Sequence, residues 1–301
     1  MRSLSYTLAL LLLLQLPAKA QLLWQISGNS LEKPSYLMGT YHLANPEFAT
    51  QIPGFFTALE AVEQVVGEIS TQALTDNPQT LARVQQAMLL PQGQTLDDLL
   101  SPEQLTQLNL FLKQLLGADL TSPLLAPMKA MKPAAIEAQL QIFLCMQIDQ
   151  NFSPEQQIDT YIQQLALQNQ KSLAALETLD SQIATLFDKT TTQRQAELLM
   201  CLVENADYAS SVISRTIQAY YNQDLDEIDR ISNEKFLNAC DATPEEEDIL
   251  VYSRNQNWAQ SIPQTISQTP SLIAVGAAHL PGEKGLIQLL QNQGFTLTPV
   301  N

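Results

Sequence analysis

The sequence predicts an α/β fold, α+β in the broader sense. A central mixed sheet is built from both chain ends, and a large all-helical insertion covers it. Three observations predict this. Short apolar runs that close on glycine occur near the start of the chain and again at residues 271–276. Helical segments follow these runs, and strands alternating with helices pack as mixed or parallel sheets. Between about residues 71 and 262 the chain is rich in Gln, Leu and Ala, which are good helix formers.

In chain order, residues 22–26 (Leu-Leu-Trp-Gln-Ile) form a first strand, residues 29–34 a turn-rich link, and residues 35–39 (Ser-Tyr-Leu-Met-Gly) a second strand, together a hairpin. Residues 55–63 read as a helix and 64–69 (Gln-Val-Val-Gly-Glu-Ile) as a buried strand. Three helix starts are marked by a hydroxyl, then Pro, then Glu or Gln at the third position: Ser101–Gln104, Ser153–Gln156 and Thr243–Glu246. Residues 271–276 (Ser-Leu-Ile-Ala-Val-Gly) form another buried strand. Residues 285–293 form a helix stopped by Gly294, and residues 295–300 a last strand. No fixed-period repeat is present. Ends that meet in one sheet make residues 21–301 a single domain, with sheet from about 21–70 and 271–301 and the insertion at about 71–262.

Charge narrows the function classes. Of 301 residues, 15 are Lys or Arg and 31 are Asp or Glu, a net charge of −16. That balance argues against nucleic acid, or an anionic membrane face, held by a basic patch. An apolar share of 45% is too high for a disordered chain. Residues 1–20 read as a signal peptide: Arg2, the apolar run Leu8 to Leu14, Pro17, then Ala18-Lys19-Ala20 with the cut after Ala20. Residue 21 is Gln, not the Cys of a lipid anchor. The expected mature protein is periplasmic or secreted, without a stable membrane anchor. Export permits one disulfide among Cys145, Cys201 and Cys240, and the spacing leaves the pairing open.

The chain has two histidines, and they sit in matched contexts. His42 closes Gly39-Thr40-Tyr41-His42, and His279 closes Gly276-Ala277-Ala278-His279. Each glycine ends an apolar strand, so each histidine falls on the loop at the strand's carboxyl edge, where open α/β sheets bind ligands. Gly67-Glu68 repeats the arrangement with a carboxylate. If the three strands are neighbours, His42, Glu68 and His279 emerge on one rim, and two imidazoles with a carboxylate are a common divalent-metal shell. Arg254 shares an apolar helix face with Leu250, Val251 and Trp258, and a guanidinium there needs a partner. It stabilises negative charge on a substrate, orients Glu68, or forms a structural ion pair. Asn255 adjoins it. Gly39, Thr40, Tyr41 and Gly276 are the candidate substrate contacts.

Together these segments resemble the TraB/GumN family, which is related to the Tiki metalloproteases. The resemblance rests on Leu23-Trp24-Gln25-Ile26 and Tyr36 to His42, on Arg254-Asn255, and on Val275-Gly276-Ala277-Ala278-His279-Leu280-Pro281-Gly282 with Gly285 and Gly294. Leu176-Glu177-Thr178 with Gln182 resembles a further family signature. It implies His42, His279 and Glu68 at the active centre, a divalent metal (manganese or cobalt in the Tiki branch, zinc as the alternative) and peptide hydrolysis. Other members are linked to peptide-pheromone shutdown and polysaccharide gene clusters. Two positions depart from the pattern: Tyr41 stands where Ile is usual, and Ser70 where a second acidic residue often follows.

The expectation is therefore an exported metal-dependent hydrolase acting on a peptide or protein. His42 and His279 are ligands, Glu68 is a third ligand or general base, and Arg254 with Asn255 stabilises the oxyanion. Glu177 falls behind the ligands or in helix packing, with packing preferred. The alternative is a non-catalytic periplasmic protein that binds a metal, haem or peptide on the same scaffold.

Overall fold

The structure is a computed structural model describing residues 21–72 and 77–300. The segment read as a signal peptide lies outside the described residues. A mixed six-stranded sheet organises the fold, in the order β4-β3-β5-β2-β1-β6. Its strands are β1 (Leu23–Gly28), β2 (Ser35–Thr40), β3 (Gln64–Gly67), β4 (Ser172–Ala175), β5 (Ser271–Gly276) and β6 (Phe295–Pro299). Four neighbours, β4, β3, β5 and β2, run parallel. The hairpin partner β1 and the last strand β6 are antiparallel additions on the other side.

Burial follows from position in the sheet. β2 and β5 lie inside it, so their apolar runs are buried almost throughout. β6 lies at an edge and alternates buried and exposed. Both chain ends meet here: Tyr36 pairs with Leu272 and Trp24 with Pro299.

Helices supply the rest: α1 (Phe55–Ala61), α2 (Pro78–Ala87), α3 (Pro102–Leu116), α4 (Pro133–Ile148), α5 (Ile158–Gln168), α6 (Leu179–Ile183), α7 (Thr192–Glu204), α8 (Ala206–Tyr221), α9 (Leu225–Ser232), α10 (Pro244–Glu247), α11 (Ser253–Gln268) and α12 (Leu286–Asn292). One core packs the sheet against Ile158 and Ile162 of α5, Ile228 of α9, Trp258 and Ile262 of α11, and Leu290 of α12. A second core lies wholly among helices, with Leu108 and Leu112 of α3, Leu140 of α4, Leu199 of α7 and Ile217 of α8. Tyr41 and Tyr221 touch both cores.

Two of the three capping boxes open helices as expected. Ser101 and Gln104 exchange side-chain bonds with each other's backbone N–H at 3.2 and 3.0 Å, and Thr243 and Glu246 do so at 3.2 and 2.8 Å. Such a cap contributes about 1 kcal/mol. Ser153 opens no helix. Gln156 N–H closes only a turn onto the Ser153 carbonyl at 3.3 Å, and α5 starts later, at Ile158, where it buries Ile158, Ile162 and Ala166.

The insertion differs from the all-helical expectation in one element. Residues 172–175 form β4 and pair with β3 on its free edge. Their Ala-rich composition reads as helix, and their half-exposed edge position removes the apolar signature of an inner strand. Cys201 and Cys240 are bonded, tying α7 to the loop before α10. Cys145 is free and buried, and its thiol donates to the Leu43 carbonyl at 3.3 Å. Among the described residues no helix is long and apolar enough to cross a membrane.

Candidate functional site

Sheet register puts the three glycine-closed strands level. Gly39 stands opposite Val275, Thr40 opposite Gly276, and Gly67 opposite Ala274. The chain leaves each strand at the same edge, so Glu68, His42 and His279 follow on one rim. Close approach explains the glycine at 67. A Cβ there would lie 2.5 Å from Nε2 of Gln163 and 2.8 Å from the Ile69 carbonyl. Gln163, buried on α5, binds that carbonyl and accepts from Thr71, which pins the loop just past Glu68.

Glu68 lies at the centre of the rim, with its side chain 9% exposed. Its Oε1 accepts from the Gly276 N–H at 2.8 Å and stands 3.9 Å from His279 Nε2. Its Oε2 pairs with Arg254 Nη2 at 2.5 Å. Burial opposes ionisation, but His279, Arg254, His42 and the Gly276 N–H outweigh it and hold the carboxyl below its usual range.

Arg254 is the hub. Its Nη2 also bonds Glu177 Oε1 at 2.6 Å, and Nη1 donates to the Leu250 carbonyl and to His279 Nε2, at 3.1 and 3.2 Å. The guanidinium lies over the Trp258 ring at 4.5 Å, a cation–π contact. A π-helical turn, Asp248–Tyr252, immediately precedes α11 and carries Leu250. Such turns are frequent at functional sites.

His279 is held from behind. Asn255, fully buried, donates its amide to the carbonyls of His279 and Lys284, which leaves Oδ1 to accept from His279 Nδ1 at 2.7 Å. The proton therefore sits on Nδ1, and the Nε2 lone pair faces Arg254 and Glu68. Burial lowers the imidazole pKa to about 4, with Arg254 and His42 acting in the same direction, so the ring is neutral at pH 7.

His42 stands apart. Its side chain is 55% exposed, and its Nδ1 pairs with Asp159 Oδ2 at 2.6 Å. The Asp159 carboxylate lifts the imidazole pKa to about 9. Asp159 Oδ1 also accepts from the Thr40 hydroxyl at 2.8 Å. No hydrogen bond links His42 to Glu68, Arg254 or His279, although it interacts with all three electrostatically.

The expected substrate contacts are largely engaged within the protein. Gly39 is buried, and its carbonyl accepts from the Tyr220 hydroxyl. Thr40 is bound to Asp159, and the Gly276 N–H to Glu68. Tyr41 packs beside Tyr220. Arg254 is paired with Glu68 and Glu177, and the side-chain amide of Asn255 is engaged with His279 and the Lys284 carbonyl. Glu177 belongs to the cluster rather than to packing alone. β4 delivers it: Leu176 N–H bonds the Gly67 carbonyl and Glu177 N–H the Glu68 carbonyl, continuing the ladder to the rim. Gln182 lies between the two carboxylates at 3.5 Å from each. Asp159 escapes sequence reading because an acid in a helix's first turn is ordinary dipole chemistry.

The implied divalent metal can be tested against the donors. Among the described residues no three His, Cys, Asp or Glu side chains converge tightly enough to enclose an ion. The donor chemistry nevertheless fits one. Each histidine is gripped at Nδ1 by an oxygen acceptor, Asp159 or Asn255, as ligating histidines are held, while Arg254 Nη1 donates to His279 Nε2.

Residues 22–299 match the TraB/PrgY/gumN family model. No curated protein and no solved structure matches the chain.

Proposed function

The chain belongs to the TraB/PrgY/gumN family, and on that premise we propose that it is an exported peptide hydrolase with a divalent metal held by His42, His279 and Glu68. The observation that carries this reading is the matched anchoring of the two imidazoles through Nδ1, on histidines that follow the same strand edge as Glu68. Manganese or cobalt is the metal to expect, and zinc suits the same donors. Such an ion supplies a Lewis acid that polarises a scissile carbonyl and acidifies a water.

The chain's own groups do the rest. Asn255 fixes the tautomer of His279, and burial keeps that ring neutral. Glu68 Oε1, facing His279 Nε2, is placed to ligate or to take a proton. Arg254 keeps Glu68 ionised, and its guanidinium, whose Nη1 donates to the Leu250 carbonyl and to His279 Nε2, sets a positive charge beside that space. Asp159 orients His42. The Cys201–Cys240 bond supports an oxidising compartment such as the periplasm.

A second reading, metal or peptide binding without turnover, is favoured by one feature. Arg254 already occupies the His279 lone pair and compensates both carboxylates.

The deciding experiment chelates the purified protein, reloads it with manganese, cobalt or zinc, and assays a peptide library against His42→Ala and Glu68→Gln. Cleavage by the reloaded wild type, reduced roughly 100-fold or more in both variants, is the expected result. Metal retention with no turnover on any peptide supports the binding reading. Equal cleavage by the chelated protein and both variants removes the metal-hydrolase proposal.

A further inference from the structure

The helical half holds a second pocket, separate from the buried charge cluster. It is a cavity of about 280 Å³ between α4, α7 and α8. Leu202 and Ile213 line it, and the Cys201–Cys240 bond and Phe236 close one side. Phe236 is held there edge-on against Tyr208, with centroids 4.3 Å apart. Five polar residues interrupt the apolar wall, Tyr41, Glu137, Gln141, Asn205 and Tyr208, and Glu137 is the one carboxylate among them.

Glu137 is unlike the protein's other sheltered glutamates. Glu68 and Glu177 have Arg254, and Glu246 has Arg194. Among the described residues Glu137 pairs with no cation, and its one hydrogen bond comes from Gln141 Nε2 at 3.3 Å. A sheltered carboxylate without a counter-charge is costly, and a cation brought from outside relieves that cost. Burial lifts this carboxyl pKa to about 7. The nearby phenols of Tyr41 and Tyr208 are held protonated, chiefly by burial, and add no charge. The volume lies at the low end for ligand pockets, which suits a body the size of a single side chain.

We propose that this cavity binds a primary ammonium carrying a compact apolar body, the ammonium against Glu137 and the body against Leu202, Ile213 and Phe236. Two sources present that chemistry: free aryl or alkyl amines, and peptide amino termini with a hydrophobic first residue. The inference stands apart from the hydrolytic reading, since it needs neither metal nor turnover.

Calorimetric titration of the full chain at pH 8, where Glu137 is ionised, tests it. Phenethylamine is expected to bind at least roughly tenfold more tightly than 2-phenylethanol, the preference that one charged contact of about 1.4 kcal/mol confers. Glu137→Gln, close in shape, should erase that preference and leave the alcohol unchanged. Ala209→Trp, which fills the cavity from α8 and leaves the Glu137 side chain unaltered, should abolish binding of both. Phenylalanyl-alanine amide and its N-acetyl form separate the sources. Binding of the free peptide but not the acetylated one assigns amino termini, and binding of phenethylamine alone assigns free amines. Equal affinity for amine and alcohol, or an unaltered amine affinity in Glu137→Gln, overturns the proposal.

Discussion

At the strand ends, one guanidinium serves two carboxylates in a cluster nearly closed to water, with Arg254, Glu68 and Glu177 side chains 11%, 9% and 8% exposed. In the helical half, the pairs of Arg230 with Glu227 and Glu234 face solvent, with Arg230 56% exposed. The residue types are the same, but the physical consequence differs. An exposed pair exchanges protein contacts for water at almost no net gain. A buried one cannot lose a member without stranding a charge. The rim is thus held by mutual obligation among charges. The helical half relies on its own apolar core, helix caps and a covalent tie.

The sharpest way to break this contrast is to remove the hub. Arg254→Met should cost about 3–5 kcal/mol, because two buried carboxylates lose their partner, whereas Arg230→Met should stay within about 1 kcal/mol. Urea denaturation of both variants measures it, and equal losses would dissolve the distinction. Next in size is the covalent tie. Replacing Cys201 and Cys240 with serine frees a loop with ends 39 residues apart, for a loss of up to about 4 kcal/mol by the loop-entropy estimate. The rim should keep its geometry in that variant, so the two halves respond separately.

The third case lies between the extremes. Glu246 is clamped by Arg194 at 2.8 and 3.1 Å, and that contact holds its carboxyl below the usual range. A depressed carboxyl stabilises the fold above its unfolded value near 4.5, and that contribution disappears as pH falls through the folded value. At pH 7, Glu246→Gln should cost about 2 kcal/mol, in line with a charged hydrogen bond. Denaturation midpoints from pH 6 to pH 3 should show the gap to wild type closing with acid. A gap that stays constant would mean the pair behaves like the solvent-facing ones.

How much of this was readable beforehand depends on range. Apolar runs closed by Gly39, Gly67 and Gly276 mark inner parallel strands, because both faces of such strands are covered. Two histidines at one offset from such glycines mark the rim. Contacts made by ordinary-looking residues escaped. Asp159 is a first-turn acid like any other until Thr40 and His42 are brought 2.8 and 2.6 Å from it. β4 lacks an inner strand's pattern because one edge faces solvent, so Glu177, which it delivers, read as helix packing. The Ser153 box failed because the start of α5 is set by where Ile158 and Ile162 meet the sheet, a tertiary demand that overrides a local cap.

The pairing of Tyr36 with Leu272 and of Thr40 with Gly276 orders events in time as well as space. β2 keeps its flank on that side unmatched until β5, which follows the whole insertion along the chain, pairs with it. Contacts so distant along the chain form slowly, because loop closure comes before any pairing gain. The helical half, whose partners are close in sequence, can organise meanwhile. Glu68 and His42 therefore lack Arg254 and His279 until that distant pairing closes, and the assembled chemistry arises only with it.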